Sequence, residues 1–189
     1  MLSISNDGFD IGDRILAAAA SCVVDFGVDR VTLAEIARRA GVSRPTVYRR
    51  WPDTRSILAA LLTTRITTAV REVPARGAGR EALVDRVVAV TERLRRDDLM
   101  MIVLRSEVAI VYIAQCSGSS RQTLIGALAD NVRAAQRDGS VRPGDPRQLA
   151  AMVLLIIQST IQSAEIVRPV LEAEALTAEL AYSLDRYLS

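Results

Sequence analysis

Between residues 32 and 58 the chain reads TLAEIARRAGVSRPTVYRRWPDTRSIL, and this stretch limits the fold more than any other. A Thr followed three residues later by a Glu is a capping box. The Thr32 hydroxyl can accept from the N–H of Glu35, and the Glu35 carboxylate can reach back to the N–H of Thr32. Leu33, Ile36, Ala37 and Ala40 fall at i, i+3, i+4 and i+7, a single apolar stripe. Gly41 stands where a chain leaving a helix needs a left-handed residue. Ser43 can cap a second helix with Arg44, Pro45, Thr46, Tyr48, Arg49 and Arg50 on its exposed side and Val47 and Trp51 on its inner side. The small Ala37 and Gly41 let two helices cross closely at a steep angle. The pattern is that of a helix-turn-helix whose second helix can lie in a DNA groove. The plainer alternative is a helical hairpin with a solvated arginine face.

Charge separates these alternatives. From Arg30 to Arg55 there are seven arginines against Glu35 and Asp53, a net of +5, whereas residues 66–189 carry fifteen basic and fifteen acidic residues. The positive balance therefore sits on the helix-turn-helix, as expected for a DNA reader. All 24 basic residues are arginine. Codon bias explains that overall usage; only the clustering points to DNA.

Histidine is absent, which removes Ser-His-Asp and Cys-His arrangements and the commonest metal ligand. With no paired catalytic carboxylates, Gly-rich phosphate loop or metal cluster in the pattern, neither an enzyme nor a cofactor or metal is expected. Cys22 and Cys116 lie far apart and read as core thiols. The polar N-terminus lacks the basic start and apolar run of a signal peptide. The longest apolar run, Leu149–Ile157, is nine residues, against the roughly 20 needed to span a bilayer. A soluble, cytoplasmic protein is expected.

Half of the residues are apolar and no alternating strand pattern recurs, so the expectation is an all-α chain of about nine helices. Asp10 is placed to cap a first helix with Ile11, Ile15, Ala19, Cys22 and Phe26 on its stripe and Gly27 at its end. Asp53 is placed to cap a fourth helix to about Val73, with Ile57, Leu58, Leu61 and Ile66 inward. After the break at PARGAG, further helices are expected over about 80–96, 97–115, 121–138, 146–168 and 171–188. The stretch Ser117–Ser120 separates two of them. Asp145 and Pro146 start the next as cap and first helical residue. Leu176, Leu180, Leu184 and Leu188 form the last stripe. The division expected is residues 1–58 for DNA binding and residues 59–189 for ligand binding and dimerisation.

From Ala150 to Ile157 the helix is apolar around its whole circumference and must be buried on more than one side. One side can meet its own domain; the second is met most simply by the same helix of another subunit in a two-fold dimer. A helix wholly enclosed in a monomer is the alternative. A homodimer through the last two helices would also double the DNA surface and match a palindromic operator.

These features resemble the TetR family of bacterial transcriptional regulators. The resemblance is carried by Phe26-Gly27, by Val31-Thr32-Leu33, by Ile36-Ala37-Arg38-Arg39-Ala40-Gly41-Val42-Ser43, by Thr46-Val47-Tyr48-Arg49-Arg50-Trp51 and by Pro52-Asp53. It covers residues 10–66, about a third of the chain; beyond them it rests on helical content and the Gly139–Pro146 turn. Arg50 and Trp51 stand where many members have His or Tyr followed by Phe, and Thr54 stands where a Lys commonly contacts a phosphate, so that contact is shifted to Arg55 or weakened. Chemistry and resemblance together assign Arg44 and Arg49 to base edges and Pro45 to a thymine methyl. They assign Thr32, Ser43, Thr46, Tyr48 and Arg55 to phosphates. Arg50 suits either role.

The resemblance further implies a C-terminal pocket for a small-molecule effector. Candidates to line it are Met100, Met101, Leu104, Tyr112, Gln115 and Cys116, with Gln158 and Gln162 four apart on an otherwise apolar helix. Ordinary core or seam packing is the alternative for each. A lipophilic effector suits the scarcity of interior charge. The leading expectation is a homodimeric repressor released from its operator by that effector. The competing one is a DNA-binding regulator or architectural protein without a ligand, whose C-terminal domain only dimerises or recruits a protein partner.

Overall fold

The structure is a computed structural model. It describes the backbone of residues 10–106 and 118–189 and the side chains of residues 10–106 and 122–189. The fold is all-α. Among the described residues there are nine α-helices: α1 (Ile11–Phe26), α2 (Leu33–Ala40), α3 (Arg44–Arg50), α4 (Thr54–Glu72), α5 (Gly79–Arg95), α6 (Asp98–Leu104), α7 (Gly118–Arg137), α8 (Pro146–Val167) and α9 (Ala173–Leu188). A 3-10 turn (Val28–Arg30) joins α1 to α2. The chain forms two compact units. The first takes its described residues from Met1–Thr64 and Ile102–Cys116, the second from Arg65–Met101 and Ser117–Ser189.

The helix starts follow from local hydrogen bonding. Asp53 Oδ1 accepts from the Ser56 N–H at 2.7 Å and opens α4. Asp97 Oδ1 accepts from the Met100 N–H at 2.9 Å and opens α6. Asp145 accepts from the N–H groups of Arg147 and Gln148, with Pro146 in the first turn of α8, where its missing N–H costs nothing.

Two starts or stops differ from the periodicity. The helix expected to continue from residue 97 to residue 115 stops at Leu104. The Ser106 hydroxyl bonds the Val103 carbonyl at 2.7 Å, the local competition by which Ser disfavours helix continuation. Residues 107–115 of that expected helix lie outside the described residues. In the other direction α7 begins at Gly118, so Ser119 and Ser120 belong to a helix.

In the first unit the buried residues Ile15, Ala19, Cys22 and Val23 of α1 accompany Leu33, Ile36, Ala37 and Ala40 of α2, Val47 of α3 and Ile57, Leu58 and Leu61 of α4. Ile11, expected inward, is 41% exposed at the first residue of α1. In the second unit α5, α7, α8 and α9 enclose one core of Leu83, Val84, Val132, Ala135, Leu149, Val153, Leu180, Leu184 and Leu188. Leu176, Leu180, Leu184 and Leu188 are all buried, as their spacing of four requires. Arg142 ties the α7–α8 turn to the end of α9. It donates from Nε to the Tyr187 carbonyl at 2.8 Å and lies over the Tyr187 ring.

Helix α8 has two faces. Leu149, Ala150, Val153, Ile161 and Ala164 point inward and are buried, while Met152, Leu155 and Ile166 are 42%, 58% and 79% exposed. By length and composition α8 is the one helix among the described residues apolar enough to cross a bilayer; its mean hydropathy is 1.6 over an 18-residue window that is 22% buried. The whole helix is thus more apolar than its nine-residue run suggests, because Ile161, Ala164, Ile166 and Val167 continue the pattern past the polar residues at 158–160.

Candidate nucleic-acid interface

The interface is built from α2 upward. Thr32 has extended backbone geometry and its hydroxyl accepts from the Glu35 N–H at 3.2 Å. The reciprocal half of the capping box does not form. The Glu35 carboxylate is taken by Arg38, through Nε at 2.8 Å and Nη2 at 2.6 Å, and by Arg39 Nε at 3.0 Å. Charge-assisted, forked donors outcompete one backbone N–H for a carboxylate. The hydrogen bonds from Arg38 and then Arg39 hold Glu35 down at about 2 from its ordinary 4.5.

The turn depends on Gly41, at φ +63° and ψ +37°. The Val42 N–H bonds the Ala37 carbonyl at 3.1 Å and the Gly41 N–H bonds the Arg38 carbonyl at 3.3 Å, a complete Schellman ending. Arg14, from α1, adds a donor to the Ala40 carbonyl at 2.8 Å and places positive charge at the negative end of α2. Ser43 then opens α3, accepting from the Thr46 N–H at 3.3 Å while its Oγ lies 2.8 Å from Thr46 Oγ1. Val47 is fully buried and fixes the inner face; Trp51, at the helix end, is half-buried. That leaves Arg44, Pro45, Tyr48, Arg49 and Arg50 exposed on a short, capped helix.

The seven arginines of this region divide by partner. Arg30 bonds the Phe26 carbonyl, Arg38 pairs with Glu35, Arg39 with Asp25 and Glu35, and Arg50 with Asp10. Arg44, Arg49 and Arg55 make no ion pair or side-chain hydrogen bond among the described residues and are exposed. Three guanidinium groups, two on α3 and one in the first turn of α4, thus face solvent with their donors free. Thr32, Ser43 and Thr46 commit at least part of their hydrogen-bonding capacity to helix starts. A hydroxyl that accepts from a backbone N–H can still donate its own proton to a phosphate.

Sequence reasoning missed three contacts here: Arg14 on Ala40, Arg39 on Asp25, and Asp10 on Arg50. Asp10 occupies the capping position of α1, yet its side chain does not cap that helix and turns to Arg50. The partners are separated by 14 to 40 positions, and no periodicity brings them together.

The residues singled out for an effector are dispersed. Met100 is buried and Met101 half-buried, both in the second unit; Leu104 is half-buried and belongs to the first. Gln158 and Gln162 are half-buried on α8, and neither side chain makes a hydrogen bond among the described residues. Tyr112, Gln115 and Cys116 lie outside the described residues. Cys22 is a buried thiol, and burial pushes its pKa up, as for a core residue.

Residues 15–61 match the family model described as bacterial regulatory proteins, tetR family. Over 188 aligned residues, covering 100% of each chain, the sequence is 65% identical to an uncharacterized HTH-type transcriptional regulator of Mycobacterium tuberculosis. The fold is similar to that of the transcriptional regulator FadR from Bacillus subtilis, solved in complex with stearoyl-CoA. The TM-score is 0.69 at 18% identity, covering 93% of this chain and 98% of that one. It is equally similar to the R. erythropolis transcriptional repressor QsdR, with a TM-score of 0.69 at 18% identity over 94% of each chain. At these identities the two solved structures speak to the fold.

Proposed function

The chain belongs to the TetR family of bacterial regulatory proteins, and from that premise we propose that it is a homodimeric repressor released from a palindromic operator by a small lipophilic effector. Sequence-specific DNA binding in transcriptional regulation is the activity of this family, whose members are regulators and not enzymes. The observation that carries the reading is the set of exposed, unpartnered Arg44, Arg49 and Arg55 on a helix-turn-helix whose turn and both helix starts are closed by hydrogen bonds.

The roles proposed rest on chemistry and on the family resemblance together. Arg44 and Arg49 are assigned to base edges, where a guanidinium fork matches guanine O6 and N7. Pro45 is assigned to a thymine methyl. Thr32, Ser43, Thr46, Tyr48 and Arg55 are assigned to phosphates, which set register without reading sequence. Residues 1–58 form the reading head, and residues 59–189 dimerise and sense.

The outward stripe of Met152, Leu155 and Ile166 on α8 supports pairing with a second copy, since an exposed apolar helix face of this length invites burial. A soluble, cytoplasmic dimer buries this face against its twin rather than in lipid. Within the second unit, Met100, Met101, Gln158 and Gln162 are the candidates to face an effector. The stearoyl-CoA bound by a protein of similar fold supports a lipophilic one. The effector acts only if it favours one spacing of the two heads over the other; spacing near one DNA turn, about 34 Å, suits operator binding.

Selection of bound duplexes from a random pool at near-physiological salt tests this reading. Recovery of an inverted repeat is expected and would supply the probe for effector screening. Salt-sensitive binding with no enriched sequence would instead leave only the electrostatic component and favour an architectural protein that needs no ligand.

A further inference from the structure

Among the described residues Arg50 is the one arginine of α3 with an acidic partner, and the way it is seated is unusual. Asp10 is the residue before α1, where a carboxylate ordinarily caps its own helix. Here Oδ2 instead accepts from Arg50 Nη1 at 3.0 Å and Oδ1 accepts from Arg50 Nη2 at 3.3 Å, a two-point fork across forty residues of sequence. Asp13, in the same first turn, adds negative charge near the guanidinium. The seat also needs a missing side chain. A Cβ at Gly12 would lie 2.6 Å from Arg50 Nη1 and 2.9 Å from Asp10 Oδ2. Gly12 is helical and does not have positive φ. Its backbone conformation therefore does not call for glycine, and the close approach of Arg50 does.

An exposed pair of this kind does little for stability; the Arg50 and Asp10 side chains are 39% and 63% exposed. Its position matters more. It lies at the C-terminal end of the helix that carries Arg44 and Arg49, where each unpartnered guanidinium adds sequence-independent attraction to phosphates. We propose that Asp10 is a positioning residue for the DNA interface: seated over Gly12, it holds Arg50 against the first turn of α1 and withholds its charge from the duplex. Non-specific attraction is thereby reduced while the base-reading pair is left untouched, so the ratio of operator to random binding rises. This role presupposes duplex binding through α3.

The test is the salt dependence of binding to a random-sequence duplex and to the selected operator, with thermal melts to confirm folding. The expected slope change is about 0.9 in log Kobs against log salt for each additional phosphate neutralised. Asp10→Asn loosens Arg50 by removing the negative charge and one of the two oxygens that accept from it. Gly12→Ala unseats it with no change of charge, because the new Cβ crowds both the far end of the Arg50 side chain and the Asp10 carboxylate. Both variants are expected to steepen the slope by about 0.9, an extra ~3.5-fold affinity loss between 50 and 200 mM salt, and to narrow the operator-to-random ratio. Asp10→Asn combined with Arg50→Gln is expected to return to the wild-type slope. An unchanged slope in either single variant overturns the proposal. So does a double variant shallower than wild type by about 0.9, which would place Arg50 on a phosphate already. Wild-type protein that binds no duplex at low salt would instead overturn the DNA-binding reading itself.

Discussion

The Arg39 guanidinium lies 4.7 Å from the centre of the Phe26 ring, on the last residue of α1. The same side chain donates to Asp25 at 2.5 Å, to Ser21 at 2.7 Å and to Glu35 at 3.0 Å. One residue thus fastens α2 to the end of α1 by stacking and by charge, with only 19% of its side chain exposed.

Replacing it should loosen the first unit. Arg39→Ala is expected to cost about 1–2 kcal/mol, between the value of an exposed cation–π contact and that of hydrogen bonds to charged groups. Arg39→Lys should recover only part, because an ammonium cannot serve three acceptors with a planar fork. Urea unfolding followed by circular dichroism measures both. A loss below a few tenths of a kcal/mol would show that the network holds nothing.

Acid should act on the same network. Glu35 is held at about 2, below its ordinary 4.5, by the Arg38 and Arg39 hydrogen bonds. A depressed carboxylate contributes stability that is present above its unfolded pKa and is lost as pH falls toward the folded one. The contribution should therefore be intact above about pH 5 and fade between 4.5 and about 2. Glu35→Gln should flatten that part of the profile. Urea midpoints across this range for the two proteins decide it, and parallel profiles would contradict the assignment.

Gly41→Ala should damage the turn. A Cβ on a residue at φ +63° costs roughly 1–2 kcal/mol in the left-handed conformation. A stability loss of that size with weakened operator binding is expected; a variant as stable as wild type would mean that the turn has another conformation available.

Arg49 and Arg55 should fail differently. Arg49→Ala is expected to cost roughly 1–3 kcal/mol at the operator and to relax preference at one base pair. Arg55→Ala should weaken all duplexes alike and lower the salt slope by about 0.9. Operator and random duplexes titrated side by side separate the two. Equal losses on both duplexes for Arg49→Ala would remove it from base readout.

Leu155→Glu or Ile166→Glu should break the proposed dimer, since each places charge on the outward face of α8 where Leu155 is 58% and Ile166 79% exposed. Light scattering is expected to show a dimer for wild type and a monomer for either variant. A wild-type monomer that floats with lipid vesicles would assign this face to a membrane.

What the amino-acid sequence determined by itself is the local order. The stripe of Leu33, Ile36, Ala37 and Ala40, the leucines of α9, the starts at Thr32, Ser43, Asp53 and Asp145, and the glycine of the turn all rest on interactions within four or five residues. Helical geometry sets those spacings, so pattern alone reveals them. The tertiary structure decided which charges are neutralised. Asp10 could have capped α1 and was drawn to Arg50. Arg39 found Asp25, and Arg14 found the end of α2. The seven arginines look alike in sequence. Arg38 has Glu35 three residues away, a pairing that helical spacing offers by itself, but Arg39 and Arg50 meet Asp25 and Asp10 only through helix packing, and that proximity has no local signature.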